Sequence, residues 1–259
     1  MHELPLVFFT VLTQAGAGAF ILLYVAHKLS QVSDRQLGVG LFCAMVLFAL
    51  GAVCSTFHLG MPMRALNAFS GIGRSPMSNE ILATALFGVV GGLSALGLLL
   101  KKGESGLFNA LAGLAVLLGI AFIAMVPMVY QLDTVSTWGN SYTTLVMVLT
   151  ALVCGGAVAA TLGAVRLGAL FGAVGAAVSL AMRTGYIDTL TAASERLAQA
   201  QETWFTVQMA MLAVVLVLCL MAVIGRLNNR GVLALAALLA IAAELAGRVA
   251  FYNLWFISM

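Results

Sequence analysis

Charge is what this chain has least of. Its 259 residues include 12 Lys and Arg and 9 Asp and Glu, or 8% charged. A soluble domain carries roughly 25%, so a water-soluble fold is excluded. The few cations nowhere form a run, which excludes a nucleic-acid partner, because tracking phosphates needs clustered Lys and Arg. Cysteine is equally scarce: Cys43, Cys54, Cys154 and Cys219 stand singly inside apolar stretches. An iron–sulfur cluster needs several closely spaced thiolates, so none is expected in this chain, nor is a disulfide framework. The histidines are His2, His27 and His58. A haem held by two imidazoles needs them at matching depth. His27 falls at the far end of the first apolar run and His58 at the opposite end of the second, separated by most of a core about 30 Å thick. His2 lies on a terminal tail. No haem is expected, and a chain with neither haem nor cluster has no means of carrying electrons across a bilayer.

What fills the chain is apolar: 63% of it is hydrophobic. The runs are too long for barrel strands, which alternate over roughly 10 residues, and they match spanning helices of about 20. Eight spans are predicted, at Leu4–Ala26, Leu37–Phe57, Asn79–Leu100, Leu107–Tyr130, Tyr142–Leu162, Leu167–Arg183, Trp204–Ile224 and Val232–Phe256. The fold class is all-α, a single polytopic integral-membrane domain over residues 1–259. Met1-His2-Glu3-Leu4-Pro5 lacks the positive n-region of a signal peptide, so the first run reads as a retained span. Gly88, Gly91 and Gly92 in the third span, and Gly168, Gly172 and Ala176 in the sixth, have the spacing that lets helices approach closely.

Lys28, Arg35, Lys101, Lys102, Arg166, Arg226 and Arg230 fall on one side of this layout, against Arg64, Arg74, Arg183 and Arg196 on the other. The positive-inside rule then puts both termini on the outer, periplasmic side. Three outer connections, Phe57–Asn79, Tyr130–Tyr142 and Arg183–Trp204, are long and chemically rich. Six of the nine acidic residues (Glu3, Glu80, Asp133, Asp188, Glu195 and Glu202) belong to this face. Loops displayed on a rigid scaffold carry function, so the outer face is the working one.

The densest constellation runs from Ser55 through His58-Leu59-Gly60-Met61-Pro62-Met63-Arg64 to Asn67, Arg74 and Ser78-Asn79-Glu80. Gly60 and Pro62 end the second helix with His58 in its last turn. Glu80 opens the third, where the helix dipole favours a carboxylate. An imidazole that titrates near neutral pH can hydrogen-bond a quinol hydroxyl and take its proton. The same residues also suit a plainer use, His58 capping its helix and Arg64 snorkelling to headgroups. Glu244 and Arg248 are four apart in the last helix and share a face. Charges at that depth face the bundle interior, either as a structural ion pair or as a proton relay. Tyr130-Gln131-Leu132-Asp133-Thr134-Val135-Ser136-Thr137-Trp138 reads as an interfacial aromatic belt with a capping Asp.

These residues resemble the membrane anchor subunit of the bacterial dimethyl sulfoxide reductase family. The likeness lies in Glu3-Leu4-Pro5-Leu6, in His58-Leu59-Gly60-Met61-Pro62-Met63-Arg64-Ala65-Leu66-Asn67, and in Ser78-Asn79-Glu80-Ile81. It continues in Asp133–Trp138 and in Glu244-Leu245-Ala246-Gly247-Arg248-Val249-Ala250-Phe251-Tyr252. The chain departs from the pattern at Arg183-Thr184-Gly185-Tyr186-Ile187-Asp188. The resemblance implies a complex of three subunits: a molybdopterin catalytic subunit, an iron–sulfur subunit that relays electrons, and this anchor, which oxidises menaquinol in anaerobic respiration. It implies His58 as the quinol-binding histidine and Glu80 as its neighbouring carboxylate. Arg64, Asn67, Asn79, Glu244 and Arg248 are expected to bind or orient at the site, and Arg74, Asp133 and Trp138 to dock the partner. The implied location is the bacterial inner membrane. Two other readings remain. One is a small proton-coupled transporter using Glu244 and Arg248, although no internal repeat stands out and the Gly and Pro breaks sit at the rim, not at the midplane. The other is an anchor with no quinol site.

Overall fold

The computed structural model describes residues 3–57, 62–100 and 105–255. Nine α-helices form among them: α1 (Leu4–Lys28), α2 (Asp34–Thr56), α3 (Pro76–Leu100), α4 (Ser105–Tyr130), α5 (Ser141–Thr161), α6 (Val165–Ala181), α7 (Arg183–Ala200), α8 (Glu202–Val223) and α9 (Arg230–Asn253). A 3-10 segment, Pro62–Gly71, lies between α2 and α3. Local chemistry sets the ends. Ser33 and Gln36 close a capping box on α2. Asn140 Oδ1 accepts the Tyr142 N–H at 3.0 Å to start α5, and Asn229 does the same for Gly231 at 2.8 Å to start α9. Seven of the helices are long and apolar enough to cross a membrane, and each begins and ends within a few residues of the span predicted for it.

The sixth predicted span, Leu167–Arg183, falls on α6 to within two residues at each end. α6 has 17 residues, so it reaches about 25 Å at 1.5 Å per residue, short of a core about 30 Å thick. It continues after a 43° bend into α7, and the pair counts as an eighth span only when taken as one. The sequence pattern made Arg183–Trp204 a connection. The structure makes most of it the helix α7, polar along much of its length, with a break at Ser194.

The apolar helices pack as two rings of four. In the first, α1, α2, α3 and α4 each touch their neighbours and the ring closes between α1 and α4. In the second, α5, α6, α8 and α9 close in the same way. The rings meet along α1 and α5. The first ring is filled by one phenylalanine from each helix: Phe20, Phe48, Phe87 and Phe122, with centroids 4.8 Å to 6.4 Å apart. The second is filled by small residues, among them Cys154, Ala157, Ala173, Ala176 and Ala240, with Leu212 and Val215. A Cβ on Gly168 would fall 2.5 Å from the Ala160 nitrogen, so α5 and α6 pack almost backbone to backbone there. Gly172 packs beside it against Cys219 and α5, as its small-residue spacing predicted. In α3, Gly91 does pack, against Met45, whereas Gly92 faces open space. Large apolar side chains such as Leu50, Val89, Leu117 and Leu238 cover the outside, the surface that hydrocarbon solvates.

Candidate functional site

Two polar clusters lie inside this apolar frame, one at the end of the bundle where α1 begins and one nearer the middle of α1, α5 and α9. The first centres on Glu80. As the fifth residue of α3, it shares the inward stripe of Ala83, Phe87 and Gly91 and is 5% exposed. Its Oε1 is buried and has no hydrogen-bond partner among the described residues. Such a group is costly unless something completes it. The hydroxyls of Tyr130, at the end of α4, and Tyr252, near the end of α9, meet at 2.6 Å and lie within electrostatic reach of Glu80.

Neighbours of Glu80 hold the approach to α3. Asn79 Oδ1 accepts the N–H of Gly73 at 2.7 Å, fastening a turn in which Gly73 has φ +79°. Only glycine takes that conformation readily. Arg74 is exposed and donates through Nη2 to the Ser70 carbonyl at 3.1 Å. Asn67 is exposed, and its carbonyl accepts from the Ser70 hydroxyl at 2.7 Å. His58 and the side chain of Arg64 lie outside the described residues.

Beside Glu80, α2 and α3 part to leave an apolar cleft of about 400 Å³, lined by Met45, Phe48, Ala52 and Thr56 on one side and by Thr84 and Gly88 on the other. Thr84 marks its upper end, one turn from Glu80, whose carbonyl accepts the Thr84 hydroxyl at 2.7 Å. The cleft opens sideways between the two helices, where Val53 and Val89 are exposed.

The second cluster joins five helices. Thr150 Oγ1 on α5 lies 2.6 Å from Glu244 Oε2 and receives Arg248 Nη2 at 2.8 Å. Glu244 Oε1 accepts from Gln208 Nε2 at 3.3 Å, and Gln208 Oε1 accepts from Arg183 Nη2 at 2.5 Å. Arg248 also donates to Gln14 Oε1 on α1 at 3.4 Å and to the Met147 sulfur. All of these side chains are buried. The i,i+4 spacing put Glu244 and Arg248 on one face and left two uses open, a structural ion pair or a proton relay. Among the described residues the two are joined through the Thr150 hydroxyl, because each side chain reaches across to α5 and neither runs along α9.

Sequence reasoning missed four members of this cluster. Arg183 was counted as a loop charge, yet the first turn of α7 carries it inward, 3% exposed, over the Phe205 ring at 4.8 Å. Gln14, Thr150 and Gln208 are single polar residues in apolar runs. The two amides were the available signal, because a strongly polar group at membrane depth faces the bundle interior.

The third sequence candidate divides. Asp133 is exposed. Trp138, expected at a docking surface, is 4% exposed, stacks on Phe251 at 4.9 Å and donates from Nε1 to the Phe251 carbonyl at 2.9 Å. Thr137 likewise donates to the Leu254 carbonyl at 2.6 Å. These bonds fasten the loop to the C-terminal end of α9, where the Phe251 carbonyl also accepts the Leu254 N–H at 3.2 Å, and they take the indole off the surface.

A bundle of apolar helices with polar clusters buried inside it defines a multi-pass membrane protein. A family profile described as DMSO reductase anchor subunit (DmsC) matches residues 1–254, and the chain belongs to that family. It is a multi-pass protein of the bacterial inner membrane. It is 30% identical over 272 residues to an anaerobic dimethyl sulfoxide reductase subunit of Haemophilus influenzae, covering 98% of this protein and 95% of that one. It is 42% identical over 163 residues to the anaerobic dimethyl sulfoxide reductase subunit YnfH of Escherichia coli, and 37% identical over 153 residues to a second anaerobic dimethyl sulfoxide reductase subunit of the same organism. Those two matches cover 62% and 58% of this protein, and only 57% and 53% of the relatives' own length.

Proposed function

We propose that this chain anchors a dimethyl sulfoxide reductase-type complex and oxidises menaquinol at the outer rim of the membrane, as part of anaerobic respiration. The observation that carries this reading is the buried Glu80 carboxyl, with Oε1 unpaired among the described residues, one turn above a cleft open to lipid. The apolar cleft suits an isoprenoid chain, and the carboxyl suits a ring hydroxyl at its head. Both termini lie outside in this reading, with α6 and α7 together serving as the eighth span.

Oxidation of one quinol breaks two O–H bonds and releases two protons and two electrons. His58 accepts a hydrogen bond from one hydroxyl and takes its proton, and Glu80 takes the other. The electrons pass to a cluster of the iron–sulfur partner subunit, and through it to a molybdopterin catalytic subunit where the terminal acceptor is reduced. Arg64, Asn67 and Asn79 shape and orient the site. Exposed Arg74 and Asp133 face the partner. Protons and electrons leave on the same side, so this step builds no membrane potential. Membership of the anchor family favours this reading over transport through Glu244 and Arg248, whose side chains are taken up by Thr150, Gln208 and Gln14.

Quinol turnover by the reconstituted complex tests the reading. His58→Ala is expected to lower turnover by about 100-fold or more, the scale of a lost general base, with all subunits assembled. Unchanged turnover in a normally assembled complex would remove His58 from the mechanism.

A further inference from the structure

We propose that the cavity bounded by Arg183, Tyr186, Gln208, Glu244 and Arg248 is an internal hydration site, in which one water molecule ties the first turn of α7 to α9. Three independent observations carry this. The first is size: the cavity holds about 10 Å³, the space one water needs. The second is its walls. Five polar side chains line it, with Val146, Gly247 and Phe251 closing the remainder. A water is retained where two to four polar partners converge.

The third is a set of unmet hydrogen bonds. Arg183 Nε and the Tyr186 hydroxyl are buried without partners among the described residues, and both side chains line the cavity. Arg183 is 3% exposed and Tyr186 1%. Across the cavity, Glu244 Oε1 receives only a long bond of 3.3 Å from Gln208 and retains accepting capacity. One water accepts from Arg183 Nε, bonds the Tyr186 hydroxyl and donates to Glu244, which satisfies all three.

The site is built for its contents. A Cβ on Gly247 would collide with the Gln208 amide, so glycine at this turn of α9 is what admits the bridge between Arg183 and Glu244. The inference is independent of the quinol reading, since no residue lining this cavity lines the α2–α3 cleft.

X-ray hydroxyl-radical footprinting of the assembled complex in lipid nanodiscs tests it, because bound waters generate radicals in place and label residues that bulk solvent cannot reach. Phe251, 2% exposed and lining the cavity, is compared with Phe87, equally buried in the first ring. Labelling of Phe251 and Tyr186 is expected to exceed that of Phe87 by about tenfold if a water is held there. Val146→Ile, which fills the cavity with a methyl group and touches no charge, should bring both back to the Phe87 level. Equal labelling of Phe251 and Phe87 in the unaltered protein overturns the proposal, whatever the variant does. So does labelling that Val146→Ile leaves unchanged.

Discussion

Gly155 lies so close to Gly18 that a Cβ on it would fall 2.7 Å from the Gly18 Cα. The two rings are therefore joined by helices in backbone contact, with no side chain between them. Gly155→Ala forces α1 and α5 apart and should cost about 1–3 kcal/mol, the usual scale for overpacking. Gly92→Ala adds the same methyl where nothing lies within 4 Å and should be neutral or slightly stabilising. Thermal unfolding of the purified complex, followed by size-exclusion chromatography, separates the two.

Thr150 is the hinge of the buried polar cluster, and its methyl and hydroxyl can be tested apart. Thr150→Val keeps the shape and leaves Glu244 and Arg248 without their common partner. A loss of about 1–3 kcal/mol is expected, as for a buried group left unsatisfied. Thr150→Ser restores the hydroxyl and should recover most of that loss. A Tm for Thr150→Val equal to that of the parent would show that the two charges find each other directly.

Trp138 fixes the 131–140 loop to the end of α9. Trp138→Phe keeps an aromatic ring against Phe251 and loses only the N–H bond to its carbonyl, at about 1 kcal/mol. Trp138→Ala also opens a cavity and should cost about 3–5 kcal/mol. Limited proteolysis reads the difference: the loop should be cut readily in Trp138→Ala and remain protected in Trp138→Phe.

The α2–α3 cleft can be filled without touching Glu80. Gly88 has only the Phe48 ring near its Cβ position, at 3.5 Å. Gly88→Leu is expected to raise the KM for a long-chain quinol by about tenfold with little change in kcat, the signature of lost uniform binding. A quinol with a short tail should show a smaller effect. Equal KM values for both quinols in the variant and the parent would show that the tail lies elsewhere. Glu80→Gln, by contrast, should lower kcat by about 100-fold.

The spans were readable because bilayer thickness fixes helix length. A run such as Leu107–Tyr130 has to become a helix close to its own limits, and α4 is Ser105–Tyr130. α7 was not readable on that ground. Its residues are too polar to signal a span, and nothing local says that Arg183 turns inward while Asp188 does not. Spacing correctly put Glu244 and Arg248 on one face. What stands between them is a threonine 94 residues from Glu244 in the sequence, and no periodicity in one helix can disclose a partner on another. Glu80 was singled out as a carboxylate opening a helix, where the dipole favours it. Its burial was not readable, because that depends on which way α3 faces its neighbours. The paired hydroxyls of Tyr130 and Tyr252 were hidden for another reason: tyrosines at a membrane interface are expected and draw no attention.

The sideways opening between α2 and α3 has a kinetic consequence. A molecule that reaches Thr84 through that gap comes from the acyl-chain layer, so its supply follows its mole fraction among the lipids and its lateral diffusion, not its molarity in water. Diluting the bilayer with inert phospholipid, at constant protein and bulk volume, should then starve the site in the way that diluting a buffer starves an aqueous enzyme.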